Sequence, residues 1–233
     1  MNSNSHNLSV QRGFSLVELM IALVLGLILL GGTFQIFFIT KNGQRLQNGM
    51  ANVQENGRYA IYALRENILM AGYSTSTDLP PFDPDRSLDG ENDQITVRFE
   101  STTDCLGTAL PAAAAGIAVN RIFVDAESNT LRCQGNGGGA SAALVDGIEG
   151  MQILYGLDED GDNVANRYLT ASELPDWNSI VSVRIAVLAR SKYKTGIQEA
   201  REYTLLDAPA IRQNDALTHS VFTTTIPLRN RML

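Results

Sequence analysis

The chain has 233 residues, a hydrophobic fraction of 44%, a net charge of −7 and a pI near 4.8, enough for one medium domain and an accessory segment. Its 18 basic residues are scattered along an acidic chain and give no footprint for nucleic acid. Two cysteines and two histidines (His6 and His219) fall short of the ligand set of a zinc site.

A hydrophilic leader, residues 1–13, ends in Arg12-Gly13 and gives way to an apolar run. In the 26 residues from Phe14 to Ile39, Glu18 is the only ionisable side chain. As a helix this run spans roughly 39 Å, enough to cross a hydrocarbon core of about 30 Å with some tilt. A secretory signal carries its small-residue cleavage site after the apolar region. Here Gly13 precedes that region, so cleavage after it would remove the leader and keep the helix. An uncleaved signal anchor, the plainer alternative, accounts for neither the Gly13-Phe14 junction nor the position of Glu18.

A carboxylate at the centre of a hydrophobic span costs about 2.5–3.5 kcal/mol, and less near its end, so a partner is expected. Cleavage after Gly13 would free an amine on Phe14, and the i to i+4 spacing puts it on the same helix face as Glu18. Glu18 can then pair with its own terminus or, in a packed bundle, with a neighbour's. The pattern resembles the type IV pilin and pseudopilin family. That resemblance implies cutting by a prepilin peptidase after Gly13, an N-methylated Phe14 as mature N-terminus, and Glu18 as the assembly carboxylate. Arg12 in the leader, against Lys41 and Arg45 beyond the span, orients the segment only weakly by charge; the resemblance puts the N-terminus in the cytoplasm.

Beyond the span, apolar or small residues recur at Leu46, Met50, Val53, Gly57, Ala60, Ile61, Leu64 and Ile68. Steps of three and four predict an amphipathic helix with one buried stripe. Ala71-Gly72 reads as its stop, and Pro80-Pro81 excludes a restart. One helix over about 14–70 follows, the first half in lipid and the second packed on a sheet.

Residues 74–93, rich in Ser, Thr, Asp and Pro, read as a surface connection. Ile95, Val97 and Phe99 then alternate with Gln94, Thr96 and Arg98, as in a half-buried strand. Arg121–Val124 and Leu131–Cys133 flank Ala126–Asn129 as a hairpin. Met151, Ile153 and Tyr155 alternate in a further strand. The strongest strand runs from Ile180 to Arg190, with Val181, Val183, Ile185 and Val187 on one face. Thr223–Leu228 forms the last, and Pro227 confines it to an edge or terminal position. Strands grouped after one long helix predict an α+β fold with an antiparallel sheet. By composition, residues 135–143 read as a flexible loop.

An exported chain meets an oxidising compartment, where two cysteines tend to pair. A Cys105–Cys133 bridge would close a loop of about 29 residues and stabilise by roughly 3–4 kcal/mol in the chain-entropy model; two free thiols are the alternative. Asp158, Asp160 and Asp162 match positions 1, 3 and 5 of a calcium loop. Position 6 is Asn163 rather than Gly, and position 12 is Leu169 rather than Glu. The alternative is an acidic turn shaped by Gly161 and Asn163. Apart from that possible Ca2+, no cofactor is expected. His219, between Thr218 and Ser220, reads as a solvent-facing histidine, since neighbours in sequence do not make a triad. The glycines at 135–139 lack the Lys-Ser/Thr of a phosphate loop, and an enzyme reading has no constellation behind it.

Several stretches, in order, are similar to the PilW-type minor pilins: Val53–Ala60, Met70–Tyr73, Ala143–Gly156, the Asp158–Asp162 loop, Asp176-Trp177, Val181–Ile185 and Val221–Arg231. The resemblance implies a type IV pilin-like α+β fold: leader 1–13, transmembrane assembly helix 14–40, periplasmic continuation 41–72 and a periplasmic β-rich domain 73–233. It implies a non-catalytic minor pilin of a Gram-negative bacterium, held in the inner membrane by a single pass and found at the pilus tip after assembly. There it would join other minor pilins in a tip complex that primes the major pilin, after contact with the prepilin peptidase and the inner-membrane assembly platform. Two rival readings are a J-type pseudopilin of a type II secretion system and a membrane-anchored adhesive domain that never polymerises.

Overall fold

The computed structural model of the protein describes residues 13–75, 78–195, 198 and 200–231. The expected leader, Gly13 excepted, lies outside them. The chain divides into two units, 1–44 and 45–233.

Helix α1 (Leu16–Met70) is continuous through both. In the first unit every side chain from Leu16 to Ile39 is exposed except that Gly26 is half-buried. An apolar surface of that extent needs a lipid or a protein cover.

In the second unit the helix turns a stripe of Gly49, Val53, Gly57, Ala60, Leu64 and Ile68 inward. Two expected stripe members do not follow: Leu46 and Met50 are exposed at 45% and 52%. The stripe passes through Gly49 instead, because glycine lets Thr195 approach the helix backbone where a Cβ would collide with its methyl group. The expected stop holds. Gly72 adopts a left-handed φ of 78° and donates its N–H to the Arg98 carbonyl at 2.8 Å. Asn230 closes the same helix end by donating its side-chain amide to the Leu69 and Ala71 carbonyls.

Among the described residues ten strands follow, all paired antiparallel. Strands β1 (Ile95–Glu100), β2 (Ile117–Asp125), β3 (Thr130–Gln134) and β4 (Ala142–Asp146) form one sheet in that order. A second sheet has the order β10-β7-β5-β6, made of β5 (Ile148–Leu157), β6 (Arg167–Leu169), β7 (Ile180–Arg190) and β10 (His219–Pro227). Its edge strand β10 carries Pro227, which pairs with Ser182 and makes no demand on an inner ladder. Strands β8 (Arg201–Tyr203) and β9 (Ile211–Gln213) pair only with each other.

One core joins the buried stripe of α1 to Ile95, Val97, Ile122, Leu131, Ile153, Val183, Ile185 and Ile226, so both sheets share the helix. Strands β1 and β7 are buried on both faces, which alternation alone does not disclose. In β1, Thr96 is fully buried because the 82–88 segment covers it: its N–H donates to Ser87 Oγ and its hydroxyl to the Arg86 carbonyl. In β7, Ala186 and Leu188 on the second face meet Leu205 and Ile211 from the β8–β9 region. The expected shared face of β7 also breaks at one end. Ile180 rather than Val181 joins the main core, since the register with β5 shifts at Gly156/Leu157 and a shift of one residue exchanges the faces.

Residues 135–143 are not a free loop. Ala142 and Ala143 belong to β4. Asp104 Oδ2 accepts the Gly137 N–H at 3.0 Å, and Asn136 bonds both the Val119 N–H and the Ile117 carbonyl. The glycines serve close packing here: a Cβ at Gly135 would strike the Asp104 side chain.

Candidate functional site

The candidate site begins at the N-terminal turn of α1. Phe14 is 86% exposed, and Glu18 is the acidic residue of the first helical turn, also exposed. Ser15 caps the helix: its hydroxyl accepts the Val17 N–H at 3.3 Å, and its carbonyl accepts the Leu19 N–H at 3.1 Å. Ser15 and Glu18 thereby have the spacing of a capping box, and an acid at this turn suits the positive end of the helix dipole. The sequence signal for the cap, Ser followed three residues later by Glu ahead of an apolar run, was present but was masked by the reading of Glu18 as an intramembrane charge. Gly13 has no heavy atom within 4 Å of where a Cβ would stand, so the junction with Phe14 is open.

Cys105 and Cys133 form a disulfide, with Cα atoms 6.5 Å apart. It ties the 101–110 loop to β3. Beside it, Asp104 organises the loop: Oδ1 accepts the N–H groups of Leu106 and Thr108, and Oδ2 that of Gly137. Buried Asn120 continues the link inward. It accepts the Cys105 N–H and donates to Asn67 of α1 at 3.1 Å. Nothing in the local pattern of β2 distinguished Asn120 from a solvent-facing residue.

The ligand atoms of Asp158, Asp160 and Asp162 lie within 4.8 Å of one another in the β5–β6 loop, so the three carboxylates could take a hard cation. The loop also has an internal organisation. Asp158 accepts the N–H groups of Asp160, Gly161 and Asn163, and Asp162 accepts that of Val164. Partial burial pushes the Asp158 carboxyl upward, but the bonds from Gly161, Asn163 and Asp160 outweigh it and hold the group below the ordinary range. Gly161 and Asn163 both take positive φ, as an acidic turn requires. Leu169, where a calcium loop needs its bidentate carboxylate, ends β6 opposite Tyr155.

His219 does not face solvent, contrary to expectation. Its side chain is 2% exposed, with Nε2 at 3.1 Å from Glu149 and 3.9 Å from Asp215. The ring of Tyr203 stands 5.5 Å away, so the β8–β9 region covers a face of β10 that sequence alternation left open. Glu149 also meets Arg190 and Gln213 at 3.1 Å each, joining β5 to β7, β9 and β10.

A long apolar N-terminal helix packed on antiparallel sheets is the fold of a type IV pilin. In agreement, the protein resembles a type IV-like pilin from Thermus thermophilus with a TM-score of 0.51 and 13% identity, covering 77% of this chain and 98% of that one. Residues 8–34 match the prokaryotic N-terminal methylation motif, and residues 120–230 match the family of the type IV pilus-assembly protein W. No curated protein matches the chain. These matches and the fold support a type IV minor pilin of the PilW family. The methylation motif and the apolar helix mark it as a membrane-anchored pilin, a structural class that works with other pilins and the pilus machinery.

Proposed function

We propose that the protein helps prime pilus assembly as a non-catalytic member of a tip or initiation complex. The observation that carries this reading is the exposed apolar run of residues 14–39, whose one carboxylate, Glu18, stands four residues from Phe14. After removal of residues 1–13 by a prepilin peptidase, residues 14–40 would hold the chain in the inner membrane, with the rest in the periplasm. The helix leaves lipid only when a bundle of similar helices buries it. Glu18 sets register there by pairing with an N-terminal amine, its own or that of a neighbouring minor or major pilin. Such a pair adds little net stability, but removing one partner leaves the other buried and uncompensated.

Replacement of Glu18 by Ala tests this. The variant is expected to insert into the membrane as well as the native chain, since a costly charge is gone, and to be lost from complexes isolated with other pilins. Normal piliation and co-purification would overturn the mechanism. Deletion of the gene separates the pilus reading from a secretion pseudopilus: loss of surface pili and twitching supports the first, and loss of exoprotein release alone the second.

A further inference from the structure

The chain contains three lysines, Lys41, Lys192 and Lys194. Arg45 is the first residue of that unit and lies six residues after Ile39 in the same helix. Arg45, Asn48, Gly49, Asn52, Tyr193 and Lys194 line one cavity of about 350 Å³. Its position follows from chain connectivity: the helix that enters it has just left the apolar run.

The cavity is built rather than accidental. Strand β7 ends at Arg190, and the chain is then pinned on both sides of Tyr193. Ser191 donates its N–H to Thr218 and its hydroxyl to the Tyr193 carbonyl, and Thr195 donates its N–H to Ala216 at 2.7 Å. Gly49 admits Thr195 against the helix, which brings Lys194 to the side of Arg45 and the two asparagines. The lining carries two cations, Arg45 and Lys194, and no carboxylate. No acidic residue occurs between Glu18 and Glu55, nor between Asp176 and Glu199, in a chain whose net charge is −7. Tyr193 is 71% exposed, with the Lys192 ammonium 5.7 Å from its ring centroid. An exposed tyrosine beside basic side chains suits a headgroup layer, where amphipathic rings and basic side chains concentrate.

We propose that this cavity binds the phosphate of an anionic lipid headgroup. Arg45 and Lys194 supply the charge, Asn48 and Asn52 supply amide donors, and Tyr193 stands in the interface. Basic side chains near a membrane surface attract anionic headgroups by charge. This gives Arg45 a role that orientation by loop charge does not. The inference rests on the membrane-anchored reading. It fits lipid better than an acidic protein segment because the pocket opens next to the span in sequence and carries an exposed interfacial aromatic ring.

The test uses the full chain, as the native protein and as the Arg45→Gln/Lys194→Gln variant, in vesicles of phosphatidylcholine with and without phosphatidylglycerol. Flotation reads membrane insertion, and native mass spectrometry of the extracted protein reads the lipid retained. Both proteins are expected to float. The native chain should retain phosphatidylglycerol over phosphatidylcholine, and the variant should lose that preference by about fivefold for each cation removed. Equal retention of the two lipids, or a preference the variant keeps, would overturn the proposal alone. Failure of the native chain to float would overturn the membrane reading and this one with it. Displacement of the retained lipid by millimolar inorganic phosphate would assign the pocket to free phosphate instead. A photocrosslinker at position 193 that labels protein rather than lipid would assign it to an acidic partner.

Discussion

Gly57 of α1 lies against the ring of Phe222 in β10, so closely that a single methyl group there would overlap the ring. The helix and the edge strand of the second sheet meet at this point without a side chain between them. In an isolated helix Gly57→Ala would be favourable by about 1 kcal/mol. Here it forces the aromatic ring or the helix to move, at a cost of about 1–3 kcal/mol. We expect a lower melting temperature for Gly57→Ala, and partial recovery when Phe222→Ala is added. A single variant as stable as the native protein would mean that the two residues are not packed as described.

Cys105–Cys133 closes its loop onto β3, next to a buried amide relay. Reduction, or Cys105→Ser with Cys133→Ser, should lower unfolding free energy by about 3 kcal/mol. Denaturant titration of oxidised and reduced protein measures this directly. An unchanged midpoint would place the loop outside the cooperative unit.

Asn120 is a separate element of the same link. Its carbonyl oxygen serves the Cys105 N–H and its amide serves Asn67. Asn120→Ala removes both bonds from half-buried partners and should cost about 1–3 kcal/mol. Asn67→Ala, which removes one of these bonds, should cost less. Equal effects from the two variants would show that the Cys105 bond contributes nothing.

Asp93 gives the domain a pH dependence. Its carboxylate accepts the Ile153 N–H at 2.8 Å and the Gly90 N–H at 3.0 Å, sealing an edge of β5. Burial pushes its pKa up to about 6 from 3.8, against the lowering effect of those two bonds; Asp89 and Asp207 add to the rise. The folded state therefore binds the proton more tightly than the unfolded state does. The resulting stabilisation is complete below about pH 4 and is lost as pH rises through about 6. The difference in melting temperature between the native protein and Asp93→Asn should shrink from pH 4 to pH 7.5. A difference that is constant across this range would contradict the assignment.

The local patterns that identified elements are those in which one residue's chemistry suffices. Pro227 marked an edge strand, Gly72 a helix stop, and the lone Glu18 an apolar span that needs a partner. The short strands β4, β6, β8 and β9 had no such signal, being three to five residues long. Each is defined by pairing with the strand next to it in sequence rather than by a pattern of its own. His219 and Thr96 were misread for the same reason: alternation reports which side of a strand is apolar, not whether a later segment covers the polar side.

What the sequence determined by itself is the N-terminal third. Apolar length, the Gly13-Phe14 junction and the spacing to Glu18 are local quantities, and so is the period of the helix that follows. Tertiary structure alone decided where that helix becomes glycine-lined, at Gly49 and Gly57, because the atoms that require it belong to Thr195 and Phe222. It also decided that Arg45 and Lys194, some 150 residues apart in sequence, line one cavity. Packing at close range is set by the partner surface, and a partner surface cannot be read from either segment taken singly.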